Sequence, residues 1–266
     1  MEFKKIAIIG AGNLGFSIAQ GLISSGLYEK GNLILTEKNP KRKDAIINDG
    51  YTATDDNLKA VEQSELIMLV VKPWQIDEVL NEIKASVKSQ HVLVSCVTGI
   101  QSGHIYDMLG CKPPLFRVMP NTGISIQESM SCIAPFNETA EQKEAIKNIF
   151  SKLGEVLFIS EELMPAATAL AGCGIAFALR FIRASIQAGV EIGFSAEDAK
   201  ILASQITKGA AELILKHNSH PEAEIDKVTT PKGITITGLN EMEHSGFSSS
   251  IIKGIMASFN KIEKKE

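Results

Sequence analysis

Ile6-Ala-Ile-Ile-Gly10-Ala-Gly12-Asn-Leu-Gly15 is an apolar strand running straight into G-x-G-x-x-G, and its reading decides the fold. Each glycine has its own task. Gly10 turns the backbone sharply, Gly12 carries no side chain to block a pyrophosphate, and Gly15 lets the next helix lie close to the strand. That helix carries Ile18, Ala19, Leu22 and Ile23 on one face, and its first N–H groups point at an approaching phosphate. A tight βα turn without a ligand uses the same glycines. The apolar run before the motif and the amphipathic helix after it favour a dinucleotide site, with Gly10, Gly12, Asn13, Leu14 and Gly15 around the pyrophosphate.

Downstream, strands alternate with helices. Leu33–Thr36 reads as a second strand ending at Glu37, and residues 40–49 as a short helix stopped by Gly50. The continuous apolar run 66–71 suits a strand buried on both faces of a parallel sheet, and Lys72-Pro73 breaks it. Residues 91–97 and 115–119 give further strands, with helices at 75–87 and 101–109 between them. Residues 131–134 and 155–159 extend the sheet around a helix at 139–152. This pattern predicts an α/β fold with a doubly wound, Rossmann-type sheet.

Beyond about residue 161 no strand is legible. Residues 163–192 predict a nearly unbroken helix, apolar on all sides. Ser195 reads as an N-cap with Asp198 three residues on, and apolar residues at helical spacing follow from Ala199 to Ile214 and from Phe247 to Phe259. The expected organisation is a dinucleotide-binding domain over 1–160 and an all-helical domain over 161–266. A helix apolar all round needs more neighbours than so small a helical domain offers, so burial against a second subunit is expected.

Composition narrows the function. The chain has 266 residues, 44% hydrophobic and 22% charged, with net charge −4. No basic stripe points to nucleic acid; residues 38–43 form the one basic cluster of note. Cys96, Cys111, Cys132 and Cys173 are scattered without C-x-x-C spacing, as expected of buried thiols in a reducing compartment. The N-terminal apolar run is too short for a signal peptide, and no stretch is expected to supply the ~18–20 apolar residues of a membrane span. A soluble, cytoplasmic protein is expected, with a frayed helix end at 261–266. His217 and His220 have no third ligand at metal spacing and read, like His244, as solvated, so no metal is expected.

Four further blocks carry a resemblance: Lys72-Pro73, Arg117-Val-Met-Pro-Asn-Thr122, Ala171-Gly-Cys-Gly174 and Thr229-Thr-Pro-Lys-Gly-Ile-Thr235. With the glycine motif, their order and spacing resemble the pyrroline-5-carboxylate reductases over essentially the whole chain. Departures are local. The family's usual Ser-Pro-Gly-Gly-Thr-Thr is Thr230-Pro-Lys232-Gly-Ile-Thr235 here. Its Gly-Ser-Gly-Pro-Ala-Tyr is Gly172-Cys173-Gly-Ile175-Ala-Phe177, and Gly123 replaces a proline.

The resemblance implies hydride transfer from NADH or NADPH to the C=N carbon of a five-membered cyclic imine, giving proline. It implies that Thr235 hydrogen-bonds the ring nitrogen and that backbone N–H groups near Gly233 and Ile234 hold the substrate carboxylate, with Asn121, Gly174, Glu161 and Thr168 facing the substrate. It also implies cofactor contacts from Asn57, from Val70-Val71-Lys72-Pro73 and from Cys96-Val97-Thr98, and homodimers that assemble further into a ring of five dimers. An imine that arrives protonated needs no side-chain general acid. A β-hydroxyacid dehydrogenase, the neighbouring enzyme class, requires a lysine in its central helix, and residues 163–192 contain none. A sensor that binds the nucleotide without turnover is the non-enzymatic alternative.

The choice of nicotinamide turns on Glu37 and Lys38. A carboxylate at the end of the second strand accepts hydrogen bonds from the ribose diol and repels a 2′-phosphate, whereas Lys38, Lys41 and Arg42 favour the phosphate. Exposed cations contribute little, about 0–1 kcal/mol, so both cofactors are expected to serve, NADH no worse than NADPH.

Overall fold

The computed structural model describes residues 2–263. Its strands are β1 Ile6–Ile9, β2 Leu33–Thr36, β3 Thr52–Thr54, β4 Leu66–Leu69, β5 Val92–Ser95, β6 Leu115–Met119, β7 Ser129–Phe136 and β8 Gly154–Phe158. They form one eight-stranded sheet in the order β3-β2-β1-β4-β5-β6-β7-β8. Every pairing is parallel except β6 with β7. Strand order reverses beside β1, and ligands of such sheets bind in the crevice beyond the carboxyl ends of the strands at that switch.

Between the strands lie α1 Asn13–Ser24, α2 Pro40–Asn48, α3 Asn57–Glu62, α4 Ile76–Ile83, α5 Ser102–Leu109 and α6 Ala140–Ser151. Alternate strand residues feed separate cores. Ile6, Ile8, Leu33, Leu35, Leu66 and Met68 pack with Ile18 and Leu22 of α1 and Phe150 of α6. Ala7, Ile9, Ile34, Ile67 and Leu69 pack with Leu80 of α4 and Ile105 of α5. Because side chains alternate across a strand, covering both faces requires unbroken apolar runs.

Several elements depart from the sequence reading. β3 was missed because an edge strand of Thr-Ala-Thr, part exposed, has no apolar run to show itself. β4 stops at Leu69, and Val70 and Val71 leave it to line a cavity. α4 is shorter than residues 75–87, because the turn after Pro73 is a 3-10 helix, Pro73–Gln75. The helix expected over 163–192 is interrupted: α7 Met164–Ala167 passes into a π-helical turn, Thr168–Gly172, before α8 Gly174–Glu191. Thr168 Oγ1 donates to the Met164 carbonyl at 2.8 Å, and the Cys173 N–H closes the turn on the Thr168 carbonyl at 2.9 Å.

The chain divides into two compact units, residues up to Cys173 with Phe259 onward, and Gly174–Ser258. In the second, α8 is followed by α9 Ala196–His217, α10 Pro221–Val228 and α11 Ile234–His244, and α12 spans Phe247–Glu263. Ser195 caps α9, its Oγ accepting from the Asp198 N–H at 3.0 Å. Phe181 of α8 meets Phe247 edge-on at 6.2 Å. Within Gly174–Ser258 only Ala199 and Ala203 are buried.

One expectation fails here. The 31-residue stretch Glu161–Glu191 holds an 18-residue window of mean hydropathy 1.5, long and apolar enough in composition to cross a membrane. Its Leu, Ile, Phe and Ala residues raise the hydropathy, and it contains Arg180 and Arg183. Of the tail expected to fray, residues 261–263 are helical, and residues 264–266 lie outside the described residues.

Candidate dinucleotide and substrate site

A cavity of about 230 Å³ opens where β1, β2 and β4 end, lined by Gly10, Gly12, Glu37, Lys38, Asn57, Val70, Val71 and Lys72. Gly10 has φ +99°, and a Cβ there would stand 2.8 Å from the Val70 carbonyl oxygen. At Gly15 an added Cβ would collide with the Gly10 carbonyl, so α1 can approach β1 only without one. A Cβ at Gly12 would meet nothing within 4 Å; it would project into the space a pyrophosphate needs. The N-terminus of α1 has no side-chain cap and no acidic residue in its first turn. Its leading N–H groups therefore remain available to an anion, and these residues fit a dinucleotide.

Asn13, Leu14 and Gly15 form the first turn of α1 rather than the lining named above. Pro73 opens the 3-10 turn, Cys96 and Val97 are buried beyond β5, and Thr98 follows them. Burial pushes the Cys96 thiol up to about 12, so it stays protonated and unreactive.

The end of the cavity lined by Thr36, Glu37, Lys38 and Arg42 is built by β2 and the start of α2. Thr36 Oγ1 accepts from the Gly10 N–H at 3.1 Å and ties the glycine turn to β2. Glu37 Oε1 accepts from the Asn39 N–H at 2.9 Å, and Arg42 Nε stands 3.4 Å from Glu37 Oε2. Arg42 Nη2 also donates to the Ala11 carbonyl at 3.0 Å. Lys38 Nζ pairs with Glu78 Oε1 of α4 at 2.8 Å, and its hydrogen bond holds the Glu78 carboxyl below the usual range. Asn57 opens α3 and donates to Glu82 Oε2 at 2.8 Å. Thr36, Gln75, Glu78 and Val79 also line the cavity and were not singled out from the sequence. An acidic residue on the first turn of a helix gives no sequence signal until the fold brings Glu78 of α4 to Lys38.

On the other side of the sheet's carboxyl edge, Arg117 of β6 is buried, and its Nη1 lies 2.7 Å from Glu161 Oε1. Ser102, at the start of α5, donates to the same carboxylate from its N–H at 2.8 Å and its Oγ at 2.7 Å. Glu161 is thus held by hydrogen bonds from two elements. The sequence signal for Arg117 was its place inside Leu-Phe-Arg-Val-Met, since a cation in a buried strand needs a partner. Asn121 accepts from the Gly123 N–H at 2.9 Å and donates to the Ala171 carbonyl at 3.3 Å, beside the π-helical turn that contains buried Thr168.

Within the second unit, Gly233 is the N-cap of α11 and receives no side-chain cap. Ile234 is 92% exposed, and Thr235 is the next residue of the helix. Lys232 takes the left-handed φ of +59° where the resembled family has glycine. Gly174 opens α8. His217 closes α9, and His220, in the loop before α10, caps that helix through Nδ1, which accepts from the Glu222 N–H at 3.2 Å; both are exposed. Among the described residues no group of three His, Cys, Asp or Glu side chains could hold a metal ion.

Comparison with known proteins gives this arrangement a family. Residues 161–265 match the family described as "Pyrroline-5-carboxylate reductase dimerisation". Residues 5–99 match the family described as "NADP oxidoreductase coenzyme F420-dependent". The chain is 45% identical over 279 residues to pyrroline-5-carboxylate reductase 2 of Dictyostelium discoideum, covering 99% of this chain and 93% of that one. Against the pyrroline-5-carboxylate reductase of Methanosarcina acetivorans it is 33% identical, covering 96% of both chains. The crystal structure of Plasmodium falciparum pyrroline carboxylate reductase with NADP bound superposes with a TM-score of 0.91 at 29% identity, covering 99% of this chain and 98% of that one. At 45% identity across nearly the whole of both chains, the chain belongs to the pyrroline-5-carboxylate reductase family.

Proposed function

We propose that this chain is a pyrroline-5-carboxylate reductase, catalysing the last step of proline biosynthesis. The substrate imine, a reduced nicotinamide dinucleotide and a proton become L-proline and the oxidised dinucleotide. The observation that carries this reading is 45% identity to a reductase of that name across 99% of the chain. When bound, the reduced nicotinamide supplies the hydride for the imine carbon.

The protein's own residues bind and orient. The uncapped N-terminus of α1 attracts the pyrophosphate, and the open space at Gly12 admits it. We assign the Thr235 hydroxyl to the ring nitrogen and the N–H groups at the start of α11 to the substrate carboxylate, in keeping with the bare Gly233 cap. We assign Glu161, Asn121, Thr168 and Gly174 to the substrate side as well. Positioning provides much of the rate in such a reaction, because no covalent intermediate on the protein is required.

We assign residues 1–160 to the cofactor and 161–266 to substrate binding and dimerisation, with dimers assembling further into a ring of five. The exposed apolar helices of the second unit and the dimerisation match over 161–265 support the dimer, and the apolar stretch Glu161–Glu191 serves that contact rather than a bilayer. The four free cysteines support a reducing, cytoplasmic setting. The test is spectrophotometric: purified protein should oxidise NADH or NADPH only when pyrroline-5-carboxylate is present and form proline in equal amount. Nucleotide binding without turnover would instead make the chain a sensor.

A further inference from the structure

We propose that the ribose end of the cavity selects NADH over NADPH, with Glu37 as the main determinant and Glu78 of α4 as a second one that acts through Lys38. This rests on reading the cavity at Gly10–Gly15 as the dinucleotide site. In a doubly wound sheet the residue following β2 faces the adenosine ribose, and here that residue is Glu37, lining the cavity.

Glu37 is fixed from two directions. The Asn39 N–H holds Oε1, Arg42 holds Oε2, and the side chain is 14% exposed. To admit a 2′-phosphate it would have to break these contacts and move. To receive a ribose diol it need only accept hydrogen bonds with its remaining lone pairs.

The neighbouring cations do not offset this repulsion. Arg42 already directs Nε to Glu37 and Nη2 to the Ala11 carbonyl. Lys38 has its Nζ on Glu78. The two cations that line this end thus face two carboxylates, and the exposed Lys41 lies outside the lining, so a phosphate bearing up to two negative charges would meet no unpaired cation in the cavity wall here. Lys72 lines the cavity too, but from the end of β4, and β4 and β2 flank β1 on opposite sides. The pairs differ in weight. Lys38 and Glu78 are 59% and 71% exposed, so solvent screens them strongly and the Glu78 contribution is small.

The experiment uses the full-length protein and measures kcat/KM for both cofactors with pyrroline-5-carboxylate, alongside calorimetric titration with each nucleotide. Wild type is expected to favour NADH by about tenfold or more, and Glu37→Ser to move the ratio towards NADPH by about tenfold. Glu78→Gln, which frees Lys38, is expected to move it the same way by about threefold at low salt, the shift vanishing at high salt. A wild-type preference for NADPH would overturn the inference while leaving the reading of the cavity intact. No Glu78→Gln shift at low salt would remove Glu78 from selectivity, and a shift that persists at high salt would overturn its action through the charge of Lys38. Failure of both nucleotides to bind would overturn the cavity reading and the inference together.

Discussion

Thr235 follows Ile234 at the start of α11, directly after a glycine cap that leaves the helix N-terminus bare. A hydroxyl there has little structural work, because the chain carries no side-chain cap at that end. Its removal should therefore cost chemistry rather than folding. Thr235→Ala is expected to lower kcat/KM by about 1–3 kcal/mol with cofactor affinity unchanged; an unaltered kcat/KM would take Thr235 out of the reaction. His91 carries a different consequence. Buried before β5, its Nδ1 accepts from the Lys88 N–H at 3.1 Å, and burial holds its pKa below the ordinary 6.5. The unfolded chain then binds a proton more readily than the folded one. Stability is fully kept above the unfolded value and is lost as pH falls through the folded one. Urea midpoints should drop between about pH 7.5 and pH 5, and His91→Gln should flatten part of that slope. An identical slope in the variant would show that other groups cause the loss.

At the scale of elements, the contact between β6, α5 and the segment at Glu161 is held by a buried guanidinium on a carboxylate. Arg117→Met leaves the Glu161 carboxylate without its cation, and breaking a buried pair typically costs about 3–5 kcal/mol. Since Glu161 keeps 24% of its side-chain exposure and both Ser102 donors, the loss should fall at or below that lower limit. The double variant Arg117→Met/Glu161→Leu should lose less than the sum of the single variants in denaturant melts; strict additivity would mean the pair is not coupled.

The parallel strands were legible for a simple reason. Residues such as Ile67 and Leu69 sit between helices on both faces, so each run is apolar throughout. β3 was not legible, because part-exposed threonines on an edge look like a loop. The π-helical turn at Thr168–Gly172 was hidden as well, since nothing in Thr-Ala-Leu-Ala-Gly distinguishes an α turn from a π turn. In the site, the glycines and Glu37 announced themselves by position along the chain. Glu78 and Ser102 did not, because their roles depend on contacts made 40 and 59 residues away in sequence.

For the whole molecule, the helical unit has too little interior to stand alone. Only Ala199 and Ala203 are buried between Gly174 and Ser258, while Leu179, Ile192, Ile206 and Leu215 lie exposed. Each such side chain gains about 1.5–3 kcal/mol when fully covered, so a second copy supplies what the chain lacks. Sedimentation at micromolar concentration should give dimers or multiples of dimers with no folded monomer. A folded, active monomer would refute obligate dimerisation. The reaction itself is tested most directly by isotope. Pyrroline-5-carboxylate is incubated with protein and NADH carrying two deuterium atoms at nicotinamide C4, and the product is analysed by mass spectrometry. Hydride transfer to the imine carbon predicts proline bearing one deuterium at that carbon, in amount equal to the NADH oxidised. Bound NADH with no proline formed, or proline without deuterium, would contradict it.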